Sequence, residues 1–169
     1  MLSLNLVVRA VIVHEHKLLV TALDDGKRPL FYTLLGGHLH LGESLLECVK
    51  REVDEEIGLQ TVPSKLLYIV ENYFARETER LHEIGYYFLC HPAQPVAGEL
   101  LDLLDPNFEE WISPELMSGD KLRASEFQPS ALKELLARDL AAKFAEGPKL
   151  VVINELPGDV EAESGIYRL

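Results

Sequence analysis

The chain has 169 residues, of which 47% are hydrophobic and 26% charged, an ordinary composition for a globular protein with one buried core. Its 28 Asp and Glu residues outnumber 16 Lys and Arg residues, and the formal net charge is −12. This balance excludes a surface that binds a nucleic-acid backbone, because the phosphates would be repelled. No internal repeat or second domain is indicated.

The N-terminal run is apolar but is interrupted by Asn5 and Arg9, and it lacks a basic leader or cleavage site. We therefore expect neither a signal peptide nor a membrane span. Cys48 and Cys90 have no CxxC spacing, which predicts buried thiols in a reducing compartment. These features together predict a cytoplasmic location.

The first third of the chain is predicted to form strands followed by a helix. Strand-like segments at 4–13 and 18–23 flank a polar turn, and a third at 31–35 leads into paired glycines. Ser44 to Glu47 has the form of a capping box, and apolar residues then recur every fourth position. This pattern predicts an amphipathic helix that begins near Ser44 and ends at Gly58.

The remainder is predicted to alternate strands with a late helix. A proline-containing turn at 61–64 precedes strands at 66–74 and 83–91, which are joined by the charged segment 76–80. A loop at 92–105 leads to a short strand at 108–112, and Ser113-Pro114 is predicted to start a brief helix. An amphipathic helix at 130–146 and a strand at 149–156 follow, and the tail after them is not assigned.

Three glutamates of the first helix, Glu52, Glu55 and Glu56, project from one side within a single turn. A solvated face is the usual fate of such a charge run. None of the three has Lys or Arg four residues later, so we expect the cluster to require a cation. An all-oxygen cluster suits Mg²⁺ or Mn²⁺.

The segment from Gly37 to Leu59 resembles the signature of the Nudix hydrolases, G-x5-E-x7-R-E-U-x-E-E-x-G-U, where U is aliphatic. Every fixed position is filled, by Gly37, Glu43, Arg51, Glu52, Val53, Glu55, Glu56, Gly58 and Leu59. The resemblance implies an α/β fold, the Nudix-type α/β/α sandwich with a mixed sheet, as a single domain over 1–169. The strand and tail at about 148–169 have no certain place in that domain. Patterning alone predicts only an α/β or α+β domain.

The resemblance also implies a function: divalent-metal-dependent hydrolysis of a diphosphate linkage in nucleoside diphosphate derivatives or nucleoside triphosphates, by a metal-activated water. It assigns Gly37, Glu52, Glu55 and Glu56 to Mg²⁺ or Mn²⁺, with a glutamate such as Glu52 or Glu55 also taking a proton. Arg51 belongs to the same catalytic set, although we expect it mainly to hold Glu43 and the loop. Gly37, Glu43 and Gly58 are then structural.

Outside the signature, Glu83 is the first candidate for an extra metal ligand or base, ahead of Glu99, Glu109 and Glu110. A plain charge at the hairpin edge is an equal alternative. Candidate phosphate contacts are Arg9, Arg28, His38, His40 and Arg76, each against a surface-charge alternative. The candidates for stacking on a nucleobase are Tyr73, Phe74, Tyr86 and Trp111. For each, the alternative is that the aromatic ring is buried in the hydrophobic core.

The substrate class is left open, because the proline or tyrosine that marks some Nudix subfamilies is absent from 74–77. The expected partner is a small nucleotide, with no nucleic acid and no membrane, and a homodimer is left open. Nudix folds also serve as non-catalytic nucleotide-binding or sensing modules. Such members typically lose carboxylates of the signature, whereas this chain keeps all of them, so the enzyme is favoured.

Overall fold

The computed structural model describes residues 2–24, 26, 29–76, 78–104, 112–156, 158 and 160–169. Its strands are β1 (Leu2–His14), β2 (Lys17–Leu23), β3 (Phe31–Thr33), β4 (Thr61–Arg76), β5 (Glu79–Pro92), β6 (Ile112–Met117), β7 (Lys149–Asn154) and β8 (Gly165–Arg168). Its α-helices are α1 (Leu45–Ile57), α2 (Gly119–Ala124) and α3 (Lys133–Ala141), and 3₁₀ turns cover Leu100–Leu103 and Ser130–Leu132.

The described strands form a mixed sheet in the order β3-β2-β1-β5-β4-β7-β8, with β6 paired to β2. β1 runs parallel to β5 and β4 parallel to β7, whereas the other pairs are antiparallel. β1 and β2 pair only next to their turn, at Val13 with Leu18 and at His14 with Lys17. The strands β2, β3 and β6 therefore separate from the rest of the sheet and leave room for a cleft.

Helices cover both faces of the sheet. α1 buries Val49, Val53 and Ile57 in one core, together with residues of β1 such as Val8 and Ile12. α3 closes a second core on the opposite face, which contains the cluster Val11, Val70, Tyr87, Leu136, Leu140 and Val151. The predicted α/β/α sandwich with a mixed sheet is confirmed. No helix in the described part of the chain combines the length and hydrophobicity needed to cross a bilayer.

Two prolines that were predicted to interrupt strands lie within them. The predicted turn at 61–64 is the start of β4, and Pro63 sits at a register irregularity where β7 has not yet begun to pair. The helix predicted from Ser113-Pro114 is wrong, because Pro114 pairs with Thr21 inside β6. Among the described residues β6 pairs only with β2, so its free edge tolerates a residue without an N–H.

The helices of the C-terminal half also differ from the predictions. Ser118 caps α2 by accepting a hydrogen bond from Lys121 N, a helix that the sequence analysis did not assign. The helix predicted over 130–146 begins with a 3₁₀ turn and ends at Ala141, since Lys143 and Phe144 have positive φ. The unassigned tail supplies β8, which pairs with β7. Residues 108–111 of the predicted short strand lie outside the described residues.

Candidate active site

The glycine loop after β3 pairs with β1 as an extended segment. Val8 N donates to Gly37 O at 2.9 Å, Ala10 N to Leu35 O at 2.8 Å and Leu39 N to Leu6 O at 3.0 Å. Gly36 has φ +136°, and a Cβ there would lie 2.1 Å from Val8 O. Only glycine fits so close to β1, and the loop is thereby held between β1 and α1.

The ends of α1 are set by local interactions that the sequence predicted. Glu47 N donates to Ser44 Oγ at 3.2 Å while Ser44 N donates to Glu47 Oε2 at 2.9 Å, which completes the capping box. At the other end Gly58 adopts the left-handed conformation with φ 67°. These caps fix which residues of α1 face the loop.

Arg51 connects the carboxylates of the site. Its guanidinium donates to both oxygens of Glu43 at 2.8 and 3.0 Å, to Glu52 Oε1 at 2.8 Å and to Glu55 Oε2 at 3.0 Å. The contact expected between Arg51 and Glu43 is present. The absence of Lys or Arg four residues after Glu52 and Glu55 does not leave these two carboxylates without a cation, because Arg51 lies one residue before the former and four before the latter.

Arg51 also determines the charge state of Glu43. Its hydrogen bonds lower the pKa of Glu43 to about 2. The hydrogen bonds that Arg51 donates to Glu43, and then those to Glu52 and Glu55, raise the pKa of Arg51 above its already high value. Near neutral pH the pair is fully ionised, so the Glu43 side chain stays tied to α1. A further Arg51 hydrogen bond, to His38 O at 3.2 Å, ties the loop to the same helix.

Glu52 and Glu56 face the glycine loop. Gly36 N donates to Glu56 Oε2 at 2.9 Å, and a Cβ on Gly37 would lie 2.4 Å from Glu52 Oε2. The loop therefore needs glycine at 37 to let the Glu52 carboxylate approach the backbone. The atoms that converge here and could bind a metal are carboxylate and carbonyl oxygens, which are the ligands that Mg²⁺ and Mn²⁺ prefer.

A compact cage of three ligands occurs elsewhere. Within the described residues, His14, Glu15 and Glu99 are the set whose ligand atoms all lie within 4.8 Å of one another, and the three signature glutamates do not meet that spacing. Mg²⁺ needs no such cage, since it keeps several waters and is often held by one or two carboxylates plus substrate phosphates. The oxygen donors on α1 and the loop fit that requirement.

A cleft of about 530 Å³ opens beside the loop, between the β1-β5-β4 face and the strands β2, β3 and β6. Glu56 and Gly36 line it together with predicted residues from other elements, which are Arg9, Phe74, Arg76 and Glu83. Arg9 Nη1 donates to Gly36 O at 2.7 Å. The structure therefore brings Glu56 of the signature and four candidates from outside it to one cleft, whereas Gly37, Glu52 and Glu55 are not part of the cleft lining.

Other candidates lie away from this cleft. His38 and His40 are exposed and are not part of its lining, and Glu99 lies beside His14. Tyr73 stacks on His82 with ring centroids 4.2 Å apart, and Tyr86 packs against the core on the α1 side. Arg28, Glu109, Glu110 and Trp111 are outside the described residues. The roles suggested for all of these stay predictions.

Sequence reasoning missed several residues of the cleft, among them Asn72, Phe31, Tyr87 and Gln128. One sign of Asn72 was available. Alternate residues of a strand lie on the same face of the sheet. On one face of β4, Asn72 is the only amide among side chains that are otherwise apolar or aromatic, namely Tyr68, Val70 and Phe74. Phe31 and Gln128 gave no comparable sign, because they reach the cleft from segments that are distant in sequence.

The family model described as NUDIX domain matches residues 4–136, which include the glycine loop and all of α1. The chain belongs to the Nudix family. Proteins named "Uncharacterized Nudix hydrolase YfcD" from Salmonella typhi and Escherichia coli K12 are 30% identical to this Nudix chain over 132 residues, or 74% of it. The aligned region covers 65% of the Salmonella protein, slightly less than two thirds, and 67% of the E. coli protein.

Solved structures share the Nudix fold. A NUDIX hydrolase from Nitrosomonas europaea aligns with a TM-score of 0.65 and 23% identity over 83% of this chain and 90% of that one. An ADP-ribose pyrophosphatase from Streptococcus suis aligns with a TM-score of 0.60 and 24% identity over 88% of this chain and 98% of that one. A MutT protein from Bacillus halodurans aligns with a TM-score of 0.67 and 15% identity over 96% of this chain and 97% of that one. At these identities the likeness concerns the fold.

Proposed function

We propose that this Nudix protein hydrolyses a diphosphate linkage in nucleoside diphosphate derivatives or nucleoside triphosphates. The observation that carries the proposal is that Glu56 of the signature, and Gly36 just before the signature, line the same cleft as Arg9, Glu83 and Phe74. Carboxylates, cations and an aromatic ring thus meet in a space of about 530 Å³, a size suited to a small ligand.

Glu52, Glu55 and Glu56, with the carbonyl oxygen of Gly37, would hold Mg²⁺ or Mn²⁺. Gly37 O accepts one hydrogen bond from Val8 N and retains a second lone pair. A divalent ion bound here supplies a water of lowered pKa and offsets negative charge on phosphoryl oxygens.

The remaining roles belong to side chains on three elements. Arg9 and Arg76 line the cleft and would contact the phosphates, where a guanidinium matches the oxygens of a phosphate. Glu83 would accept a proton, because it lines the cleft from β5 rather than from α1. Arg51 would position Glu52 and Glu55 through its hydrogen bonds.

The second candidate is a nucleotide-binding module without turnover. The complete set of signature carboxylates argues against it, since clustered negative charges repel an anionic nucleotide and give no advantage to a site that only binds one.

The test is a panel of dNTPs, ADP-ribose, nucleotide sugars, dinucleoside polyphosphates and coenzyme A with Mg²⁺ or Mn²⁺, assayed for phosphate and nucleotide release. We expect turnover of at least one compound, its loss in EDTA, and a fall in kcat of about 10²-fold or more for Glu52→Gln. Asp54→Asn, on the exposed side of the same helix, is the matched control and should retain wild-type kcat. Full activity in EDTA, or binding without turnover across the panel, would contradict the proposal.

A further inference from the structure

We propose that Asn72 is the residue that recognises the nucleobase, by pairing its carboxamide with a base edge that offers an N–H donor beside an acceptor. The inference rests on the proposed function, since it places a nucleotide in the cleft, and it adds the part of that nucleotide on which selectivity depends. Asn72 stands on β4 and lines the cleft.

The burial of Asn72 is the first observation. The residue is 8% exposed, and its Oδ1 is buried with no hydrogen-bond partner among the described residues. A buried acceptor without a partner destabilises the folded chain, because water has been removed and nothing replaces it. Buried unpaired polar groups are rare in native proteins, and each calls for an explanation such as a catalytic role or a bound water or ion.

The neighbours of Asn72 are the second observation. Phe74 follows on the same face of β4 and lines the cleft, and Phe31 lines it from β3. Asn72 is the register partner of Glu83 on β5. In the proposed arrangement, a nucleobase that packs against Phe74 or Phe31 presents its polar edge to the Asn72 amide. The phosphates of the nucleotide then extend toward Arg9 and Gly36.

The chemistry of the amide favours a base over the other parts of a nucleotide. Oδ1 accepts and Nδ2 donates in one plane, which matches a base edge that carries a donor and an acceptor side by side, as an adenine edge does. Phosphate oxygens are acceptors and give Oδ1 nothing to accept from. A sugar hydroxyl could pair with one atom of the amide but not with both.

The test measures binding, so it does not depend on turnover. The dissociation constants of AMP, GMP, CMP, UMP and ribose 5-phosphate are determined by calorimetry for the wild type and for Asn72→Leu, which keeps the number and branching of the side-chain heavy atoms. We expect the wild type to bind at least one nucleotide about tenfold or more tightly than ribose 5-phosphate, and Asn72→Leu to lose that preference. The affinity for ribose 5-phosphate should change by less than about twofold, because it has no base edge.

A second readout separates recognition from a structural role. Asn72→Leu removes a buried amide oxygen that has no hydrogen-bond partner among the described residues, so the Tm of the ligand-free variant should equal or exceed that of the wild type. A lower Tm, an equal loss of affinity for ribose 5-phosphate, or an unchanged nucleotide preference would each overturn the inference, as would a wild type with no preference for any base. If Asn72→Leu does not fold, Asn72→Ser takes its place in the binding comparison, because serine cannot form the two-atom pairing.

The two proposals can fail separately. A wild type that prefers a base through Asn72 but hydrolyses no compound of the panel leaves this inference standing and overturns the proposed function. If the wild type and Asn72→Leu both hydrolyse nucleotides and show the same base selectivity, this inference is overturned and the proposed function stands.

Discussion

At the scale of single residues, the ion pair between Arg51 and Glu43 should be visible in the pH dependence of stability. Its hydrogen bonds lower the pKa of Glu43 from 4.5 to about 2. A lowered pKa in the folded state means that the contribution of Glu43 to stability is complete above about pH 4.5 and is lost as the pH falls toward 2. Glu43→Gln cannot titrate, so the difference in Tm between wild type and variant should shrink over that window.

Thermal unfolding followed by circular dichroism between about pH 7 and 2 measures this difference. Glu163→Gln, on the exposed C-terminal segment, is the control and should follow the wild type at every pH. A difference in Tm between wild type and Glu43→Gln that stays constant below pH 4.5 would remove this pair from the acid sensitivity of the fold.

Glu56 and Glu83 line the same cleft from different elements, and their proposed roles predict different kinetics. If Glu56 holds the metal, Glu56→Gln should raise the Mg²⁺ concentration for half-maximal rate, and saturating Mg²⁺ should restore part of the activity. If Glu83 moves a proton, Glu83→Gln should lower kcat with an unchanged metal midpoint and no restoration.

Titration of Mg²⁺ against initial rate for both variants measures these effects. An unchanged midpoint for Glu56→Gln would refute its role as a ligand. An unchanged rate for Glu83→Gln would make Glu83 a charge at the strand edge, which was the alternative drawn from the sequence.

At the scale of elements, a buried charged network attaches α3 to the sheet. Asp139 on α3 accepts hydrogen bonds from Lys149 of β7 and Tyr68 of β4, each at 2.7 Å, and the Asp139 and Lys149 side chains are both 5% exposed. Burial alone would raise the pKa of Asp139, but the hydrogen bonds from Lys149 and Tyr68 outweigh it and the pKa is lowered.

Asp139→Asn should lower the free energy of unfolding by about 2 kcal/mol or more, because it removes the buried counter-charge of Lys149 and leaves only the half-exposed Glu146 carboxylate, 3.1 Å from the ammonium. Tyr68→Phe is the matched comparison. It removes one hydrogen bond and leaves the ion pair, so it should cost about 1 kcal/mol. Urea unfolding at neutral pH measures both changes, and a smaller loss for Asp139→Asn than for Tyr68→Phe would show that the ion pair does not secure α3.

At the scale of the whole molecule, two thiols report on the integrity of the core under α1. Cys48 and Cys90 are free and buried in that core, and burial raises the pKa of each to about 12. The thiolate is the reactive form, so both should resist a disulfide reagent in the native protein near pH 8, which is about the ordinary pKa of a free thiol.

Both thiols should react rapidly with the reagent when the protein is unfolded in concentrated guanidinium chloride. The same thiols should react slowly in the native protein. Absorbance after addition of the reagent measures the two rates, with Cys48→Ser and Cys90→Ser to assign each thiol. A rapid native reaction at Cys48 would mean that α1 opens independently of the rest of the fold.

Features that depend on neighbouring residues could be predicted from the sequence. The capping box at Ser44, the left-handed Gly58 and the apolar face of α1 are each local, and the structure has all three. The fixed spacing of the signature likewise determined the family, because its residues belong to one loop and one helix. The predicted sandwich followed from the resemblance, since patterning alone did not separate α/β from α+β.

Features that depend on distant segments were decided by the tertiary structure. Pro63 and Pro114 belong to strands only because no other described strand pairs with the edges beside them, and β8 exists because β7 offers it an edge. The cleft joins α1 and the loop to β1, β3, β4 and β5, so Asn72, Phe31 and Gln128 meet there only after the sheet has formed. The local sequence pattern does not predict which distant segments become neighbours. Strands pair through backbone N–H and C=O groups, and every residue except proline carries both.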